Sequence, residues 1–290
     1  MTVSTGRLPN FLYIGPDKAG SSWLHEVLLR HPQVFLTEAK DLYFFDRYYD
    51  RGIDWYRAQF RHAGGHHEIV GEVCQDYLFH PQAASRIRAD LGPVRLMVTL
   101  REPAARAYSS YLYMLKHGEE VGTFREALDT RCELLDHGRY GSALARFLEQ
   151  FPREAVHVAL FDDLQDDPQA FIDAVTRWLG VDPLMLSPEQ LGARLPASEA
   201  RSAALARLVR RGAVWAREHD GAGLVGQVKR SPRVQRLLYR PVDRTAYTLD
   251  AADIELVWDL LADELDLVTE LTGVPVRRVW AAAGRAQQAE

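Results

Sequence analysis

The sequence predicts an α/β protein: a parallel β-sheet flanked by helices, with a helical C-terminal cap. Three observations predict it. Short apolar runs at 11–14, 94–100 and 156–161 alternate with amphipathic stretches of helical period, the layout of βαβ units. These runs are apolar at most positions, as strands buried on both faces are. The first run passes through a loop with two glycines straight into a helical pattern.

The elements follow in order. Phe11–Ile14 reads as a buried strand and Ser21–Arg30 as a helix ending near His31-Pro32, because the residue before proline leaves helical geometry. Glu68–Cys74 is a short strand, Pro81–Leu91 a helix and Val94–Leu100 the central strand. Arg101-Glu102-Pro103 opens a helix to about His117, with proline in its first turn. Phe124–Asp136 and Tyr140–Phe151 read as amphipathic helices, Val156–Phe161 as a strand, and Pro168–Leu179 as a helix stopped by Gly180.

After Asp182 the pattern changes. Pro183–Ala200 reads as loop and Ser202–His219 as an arginine-rich helix. Gly221-Ala222-Gly223 and Ser231-Pro232 bracket a mobile stretch. Ala251–Thr272 reads as one long helix ended by Gly273; Trp280 closes the ordered part and 284–290 form a frayed tail. No internal repeat is present. The chain reads as one domain, with an α/β core over 8–182, a helical cap over 183–280 and a tail over 281–290.

Bulk properties bound the function. At 290 residues the chain can bury one large core or two modest ones. A net charge of −5 gives no reason to expect nucleic acid as a partner. Cys74 and Cys132 share no metal-ligand spacing, so both read as reduced thiols. No apolar run is long enough to span a membrane, and Met1–Asn10 lacks the apolar centre of a signal peptide. A cytoplasmic protein is expected. Of 35 basic residues only Lys18, Lys40, Lys116 and Lys229 are lysines. A lysine kept against that arginine bias is a better functional candidate than usual.

The chemistry concentrates at Gly15-Pro16-Asp17-Lys18-Ala19-Gly20-Ser21-Ser22-Trp23. Strand, glycine loop and helix start make a phosphate cradle, in which backbone N–H groups and the positive helix end face an anion. The sheet is P-loop-like in that sense. A nucleoside-triphosphatase loop places lysine directly after its second glycine; here Ser21 stands there and the lysine is Lys18. The plainer alternative is a glycine turn with a solvated lysine. A second strand-to-helix transition carries Arg101-Glu102-Pro103, then Arg106 and Ser109. A guanidinium at a strand end beside a helix N-terminus is a good phosphate fork, and residues 101 and 109 fall close to one helix face.

Together these motifs resemble the sulfotransferases that use 3′-phosphoadenosine 5′-phosphosulfate (PAPS). The resemblance runs from Leu8 to Trp280 and is weak between Asp182 and Asp250. It implies that Lys18, Ala19, Gly20, Ser21 and Ser22 bind the 5′-phosphosulfate, with Lys18 also catalytic. It implies that Trp23 stacks on adenine and that Arg101 and Ser109 hold the 3′-phosphate. Lys40-Asp41-Leu42-Tyr43-Phe44-Phe45 followed by Gly52-Ile53-Asp54-Trp55-Tyr56 is similar to a segment of the heparan-sulfate-type branch. There a glutamate is the proposed base; Asp41 matches it, one methylene shorter. Gly71-Glu72-Val73-Cys74-Gln75-Asp76-Tyr77 is similar to a further segment of that branch. Glu72 and Tyr77 match, whereas Val73 replaces a lysine that relatives hold near the sulfuryl group; Lys116 or an arginine is left to compensate. Glu72 is a second base candidate, with an ion-pairing or capping role as its plainer reading.

A basic residue from the C-terminal third is expected over the nucleotide; Arg201, Arg240 and Arg244 compete, and Arg244 is carried forward. His80 and His117 lie near these motifs in sequence, and His66-His67 lack a metal spacing. No metal is expected. The implied reaction moves a sulfuryl group to an acceptor hydroxyl on a small molecule, natural product, lipid or glycan. Composition suits a bacterial enzyme, and a homodimer is kept as an open assembly. Alternatives are a P-loop nucleotide kinase and a non-catalytic nucleotide-binding protein.

Overall fold

The computed structural model describes residues 6–191, 198–200, 239–241 and 249–287. Five strands, β1 (Phe11–Gly15), β2 (Val34–Leu36), β3 (Ile69–Val73), β4 (Arg95–Leu100) and β5 (Val156–Leu160), form one sheet in the order β2-β3-β1-β4-β5. Every pairing in it is parallel. This is the expected α/β class. Parallel neighbours need crossovers, and these carry the helices α1 (Ser21–Leu28), α2 (Ile53–Ala58), α3 (Ala83–Leu91), α4 (Pro103–Lys116), α5 (Phe124–Thr130), α6 (Glu133–Asp136) and α7 (Tyr140–Leu148). After β5 come α8 (Phe161–Asp166), α9 (Pro168–Leu179), α10 (Pro188–Leu191), α11 (Ala251–Leu260), α12 (Ala262–Thr272) and α13 (Val276–Gln287).

The pleat sorts the core into two layers. Leu12 and Ile14 face one side with Val70, Leu96 and Val98, under Ile87, Leu144 and Phe147 from α3 and α7. Phe11 and Tyr13 face the other with Ile69, Val73 and Met97, under Leu24, Leu28, Phe171 and Val175 from α1 and α9. Each such side chain contributes about 1.5–3 kcal/mol of apolar burial. Leu265, Val268 and Trp280 from the C-terminal helices join the first layer. Trp280 also donates its indole N–H to Asp162 at 3.0 Å.

Several elements depart from expectation. The helix read over 124–136 is two, because Arg131 takes φ −123° and ψ 84° after α5. The helix read over 251–272 breaks at Leu261, which is buried in the cluster between α4 and α11. That break lets α11 pack on α4 while α12 packs on α7. The strand β2 went unread because three residues show no period. The segment read as loop over 183–200 holds α10, and Ser198–Ala200 pairs antiparallel with Tyr239–Pro241. The helix α13 continues past Trp280 to Gln287, and the rest of the expected tail lies outside the described residues. The helix expected over 202–219 lies outside the described residues.

Candidate functional site

In parallel sheets ligands meet the carboxyl ends of strands where the winding reverses, and β1 lies at that point, between β3 and β4. The chain leaves β1 at Gly15, whose φ is +129° and where a Cβ would stand 2.4 Å from the Gln75 carbonyl oxygen. It enters α1 at Gly20, whose φ is +87° and where a Cβ would stand 2.6 Å from Leu164 Cδ2. Both glycines are sterically required. Between them Lys18 takes φ +61° without being glycine, a conformation that costs on the order of 1–3 kcal/mol.

Two contacts hold that turn. Arg101 Nη1 donates to the Lys18 carbonyl oxygen at 2.9 Å, and its guanidinium lies 4.8 Å over the Phe161 ring. Asp17 is buried and accepts from Arg106 Nη1 at 3.1 Å and Ser110 Oγ at 3.2 Å. His137 Nδ1 meets the same carboxylate at 3.1 Å while stacked on Phe79. Burial pushes the Asp17 carboxyl up, but Arg106 and His137 outweigh it and hold it well below the usual range. Arg106 is fully buried and also donates to the Leu134 carbonyl. The loop is thus braced from α4 by a buried ion pair.

Positive charge gathers over α1. Lys18 Nζ lies 3.4 Å above the centroid of the Tyr113 ring. Burial lowers its pKa to about 8; Asp17 opposes the fall, while Lys40, Lys116 and Arg106 add to it. Lys40 Nζ donates to Ser21 Oγ at 2.7 Å and to Ser22 Oγ at 3.4 Å. It also lies 3.9 Å from Asp41 Oδ1. Three of the four lysines in the chain therefore act on one locality. Sequence reasoning gave Lys40, Asp17, Arg106 and His137 no binding role, although lysine scarcity already marked Lys40.

The segment after Lys40 is bent by two non-glycine residues in the left-handed region, Asp41 at φ +62° and Tyr43 at φ +56°. Asp41 N–H donates to the Val73 carbonyl at 2.9 Å. The Asp41 carboxylate accepts from the Gln75 N–H at 3.2 Å. Asp41 thus sits beside the cradle, where a base would be needed.

Glu72 does not. It is fully buried and accepts from the Leu42 N–H at 3.0 Å and the Tyr56 hydroxyl at 2.7 Å. The Tyr77 hydroxyl reaches both its oxygens at 3.1 Å. Burial raises its pKa to about 8 against those hydrogen bonds. With its oxygens enclosed among Tyr56, Tyr77 and Leu42, Glu72 anchors the 41–45 segment, which favours the plainer structural reading of this residue over the base. Val73 is fully buried on the α1 side of the sheet and brings no charge.

The remaining expectations land as follows. Ala19 and Ser21 are buried in the loop and at the helix start, and Ser22 is half-buried. Trp23 packs edge-on against Phe171 and donates its indole N–H to the Gln190 carbonyl at 3.1 Å. At 6% exposure it ties α1 to α9 and α10. Ser109 is half-buried on α4, and its neighbour Ser110 is the serine that reaches the loop. His117 is buried with Nδ1 on the Tyr113 carbonyl at 2.7 Å, and His80 Nδ1 accepts from the Gln82 N–H at 3.3 Å. Arg201 and Arg244 lie outside the described residues, and only the backbone of Arg240 is described. Among the described residues no group of three or more His, Cys, Asp or Glu is placed to hold a metal ion. None of the described helices is long and apolar enough to cross a membrane.

Hydroxyls, two ammonium groups and a positive helix end thus converge on one small space, with a carboxylate at its edge. The arrangement suits a polyanion whose reacting end is next to a base.

Comparison with known proteins fits this geometry. The family model for the sulfotransferase domain matches residues 8–193. Human bifunctional heparan sulfate N-deacetylase/N-sulfotransferase 3 is 31% identical over 207 residues, 61% of this chain and 23% of that protein. Human heparan sulfate glucosamine 3-O-sulfotransferase 3B1 is 31% identical over 185 residues, 60% of this chain and 47% of that protein. The chain thus spans under half the length of these two curated relatives. A sulfotransferase from Alicyclobacillus acidocaldarius superposes with a TM-score of 0.67 at 21% identity, over 92% of this chain and 96% of that one. A mouse sulfotransferase complexed with PAP gives 0.51 at 13% identity, over 97% and 90% of the two chains. At these identities the solved structures establish the shared fold.

Proposed function

The chain belongs to the sulfotransferase domain family, and from that membership we propose that it moves a sulfuryl group from PAPS to an acceptor hydroxyl. One observation carries the reading: Arg101 of the second motif grips the main chain of Lys18 in the first. A guanidinium beside the loop suits a donor with a phosphate at each end of its ribose. A nucleotide kinase is not favoured, since Ser21 occupies the position of its lysine.

The residues present fit such a donor. Gly15 and Gly20 allow the loop its turns, and Ser21, Ser22 and the start of α1 would meet the phosphate. The donor supplies an activated sulfuryl group. Lys18 stabilises the charge left on the phosphate oxygen when the sulfur–oxygen bond breaks and its electron pair stays there. Asp41 takes the proton released as the acceptor oxygen bonds to sulfur. Glu72 fixes the main chain of Leu42 and so aims Asp41.

The acceptor is proposed to be a small molecule, natural product, lipid or glycan. Two free cysteines, one buried and one exposed, support a reducing compartment such as a cytoplasm. The test is transfer of radiosulfate from labelled PAPS into an extract by the wild-type protein, with Lys18→Ala as control. A labelled product made only by the wild type supports the reading. No labelled product from any extract, with PAPS bound or not, contradicts it.

A further inference from the structure

We propose that Lys40 is a second cation of the donor site, contacting the 5′-phosphate of the nucleotide between Ser21, Ser22 and Asp41. The assignment rests on the donor-site reading above and deepens it.

The ammonium group lies on the wrong side of an electrostatic gradient. It donates to Ser21 Oγ at 2.7 Å and Ser22 Oγ at 3.4 Å, at the first turn of α1. The N-terminus of a helix carries positive partial charge, and cations are unfavourable there. Lys18 and Lys116 belong to the same field, since Lys40 and Lys116 both weaken the hold of Lys18 on its proton. Among the described residues, Asp17 and Asp41 do not balance it. Asp17 is engaged by Arg106, Ser110 and His137, and Asp41 is 3.9 Å from Lys40 and shares its Oδ1 with the Gln75 N–H. A cation, two hydroxyls and a helix start that all face one point are complementary to an anion at that point.

The position of Lys40 is fixed from behind. Asp41 at φ +62° turns the chain directly after it. Asp41 N–H is tied to Val73, and Leu42 N–H to the buried Glu72 carboxylate. The Phe44 N–H donates to the Tyr77 hydroxyl at 2.8 Å. The Lys40 side chain is 16% exposed, so the charge is neither solvated freely nor sealed in the core. Lys40 also touches both halves of the site. The Asp41 carboxylate is its neighbour on one side and the cradle hydroxyls on the other. As Asp41 gains the acceptor proton and loses its charge, the field of Lys40 is left to the phosphate oxygen that gains an electron pair.

Calorimetric titration separates this role from structural support. Adenosine 3′,5′-bisphosphate (PAP) carries the 5′-phosphate, and adenosine 3′-monophosphate lacks it. Lys40→Met should weaken PAP binding about tenfold or more and leave adenosine 3′-monophosphate binding unchanged. Lys40→Arg should recover most of the loss, and the Tm of both unliganded variants should stay within a few degrees of wild type. Equal weakening of both nucleotides, or none, in a folded Lys40→Met protein overturns the assignment while the donor-site reading stands. If Lys40→Met does not fold, a folded Lys40→Gln that keeps the wild-type ratio of PAP to adenosine 3′-monophosphate affinity overturns it as well. Wild-type protein that fails to bind PAP overturns the donor-site reading, and the Lys40 assignment with it.

Discussion

The Arg101 guanidinium donates to the carbonyl oxygen of Lys18 across 2.9 Å, joining two motifs that lie 83 residues apart. The arginine at the end of β4 therefore braces the loop whose lysine it is expected to assist. Arg101→Ala should lower affinity for PAP about tenfold or more by calorimetry, and lower turnover as well because the Lys18 turn loses its brace. Affinity for 5′-AMP, which lacks the 3′-phosphate, should fall much less. Equal losses for both nucleotides would reduce Arg101 to a loop support.

Lys18→Ala should cost roughly a hundredfold or more in turnover while PAP binding survives in part. The pH profile gives a second reading. Lys18 must be protonated to stabilise the leaving oxygen, and burial has brought its pKa down to about 8. In the free enzyme, kcat/KM for the donor should therefore fall as pH rises through about 8. Lys18→Arg, charged throughout, should shift that limb upward or abolish it. A profile flat to pH 10 in the wild type would contradict the role.

Glu72 binds its proton more tightly folded than unfolded, since burial raises its pKa from 4.5 to about 8. Between those values the native state holds a proton that the unfolded chain has released. Stability should thus decline with rising pH over that window, by up to about 1.4 kcal/mol per pH unit. Glu72→Gln should remove that slope and keep much of the turnover, because the brace needs a hydrogen-bonding group and not a base. Thermal unfolding from pH 5 to 8 checks the first, and kcat the second. A loss in kcat as large as that of Asp41→Asn would restore Glu72 as a base.

The Asp17–Arg106 pair runs the other way. The folded carboxyl is held below its usual value, so its contribution is present above about pH 4 and is lost as pH falls below it. Arg106→Ala leaves Asp17 buried with His137 and Ser110 alone and should destabilise by about 3–5 kcal/mol. Chemical denaturation at pH 7 measures it. A change under 1 kcal/mol would show that the loop does not depend on this brace.

Much of this was legible in the residues. Four of the five sheet strands show as apolar runs, and Gly15 to Ser22 declares an anion cradle through its two glycines and hydroxyls. The displaced Lys18 and the Arg101 turn pointed to a particular kind of nucleotide. What stayed hidden depends on the third dimension. Nothing local distinguishes Asp17 as an ion-pair partner, because Arg106 and His137 reach it from α4 and the α6–α7 connection. For Glu72 the sequence leaves base and structural carboxylate open, because a carboxylate in a strand shows its chemistry but not its burial; the pleat turns it in among Tyr56 and Tyr77. The contacts that tie Trp23 to α9 and α10 are equally absent from its local sequence. The strand β2 and the break at Leu261 are set by packing and leave no period behind.

Titration of the wild-type protein with PAP and with 5′-AMP tests the central claim most directly, because only the first carries the 3′-phosphate as well as the 5′-phosphate. A site built from the Lys18 loop and Arg101 should bind PAP at least tenfold more tightly. Equal affinity for the two, or binding of ATP with magnesium in preference to PAP, would contradict it.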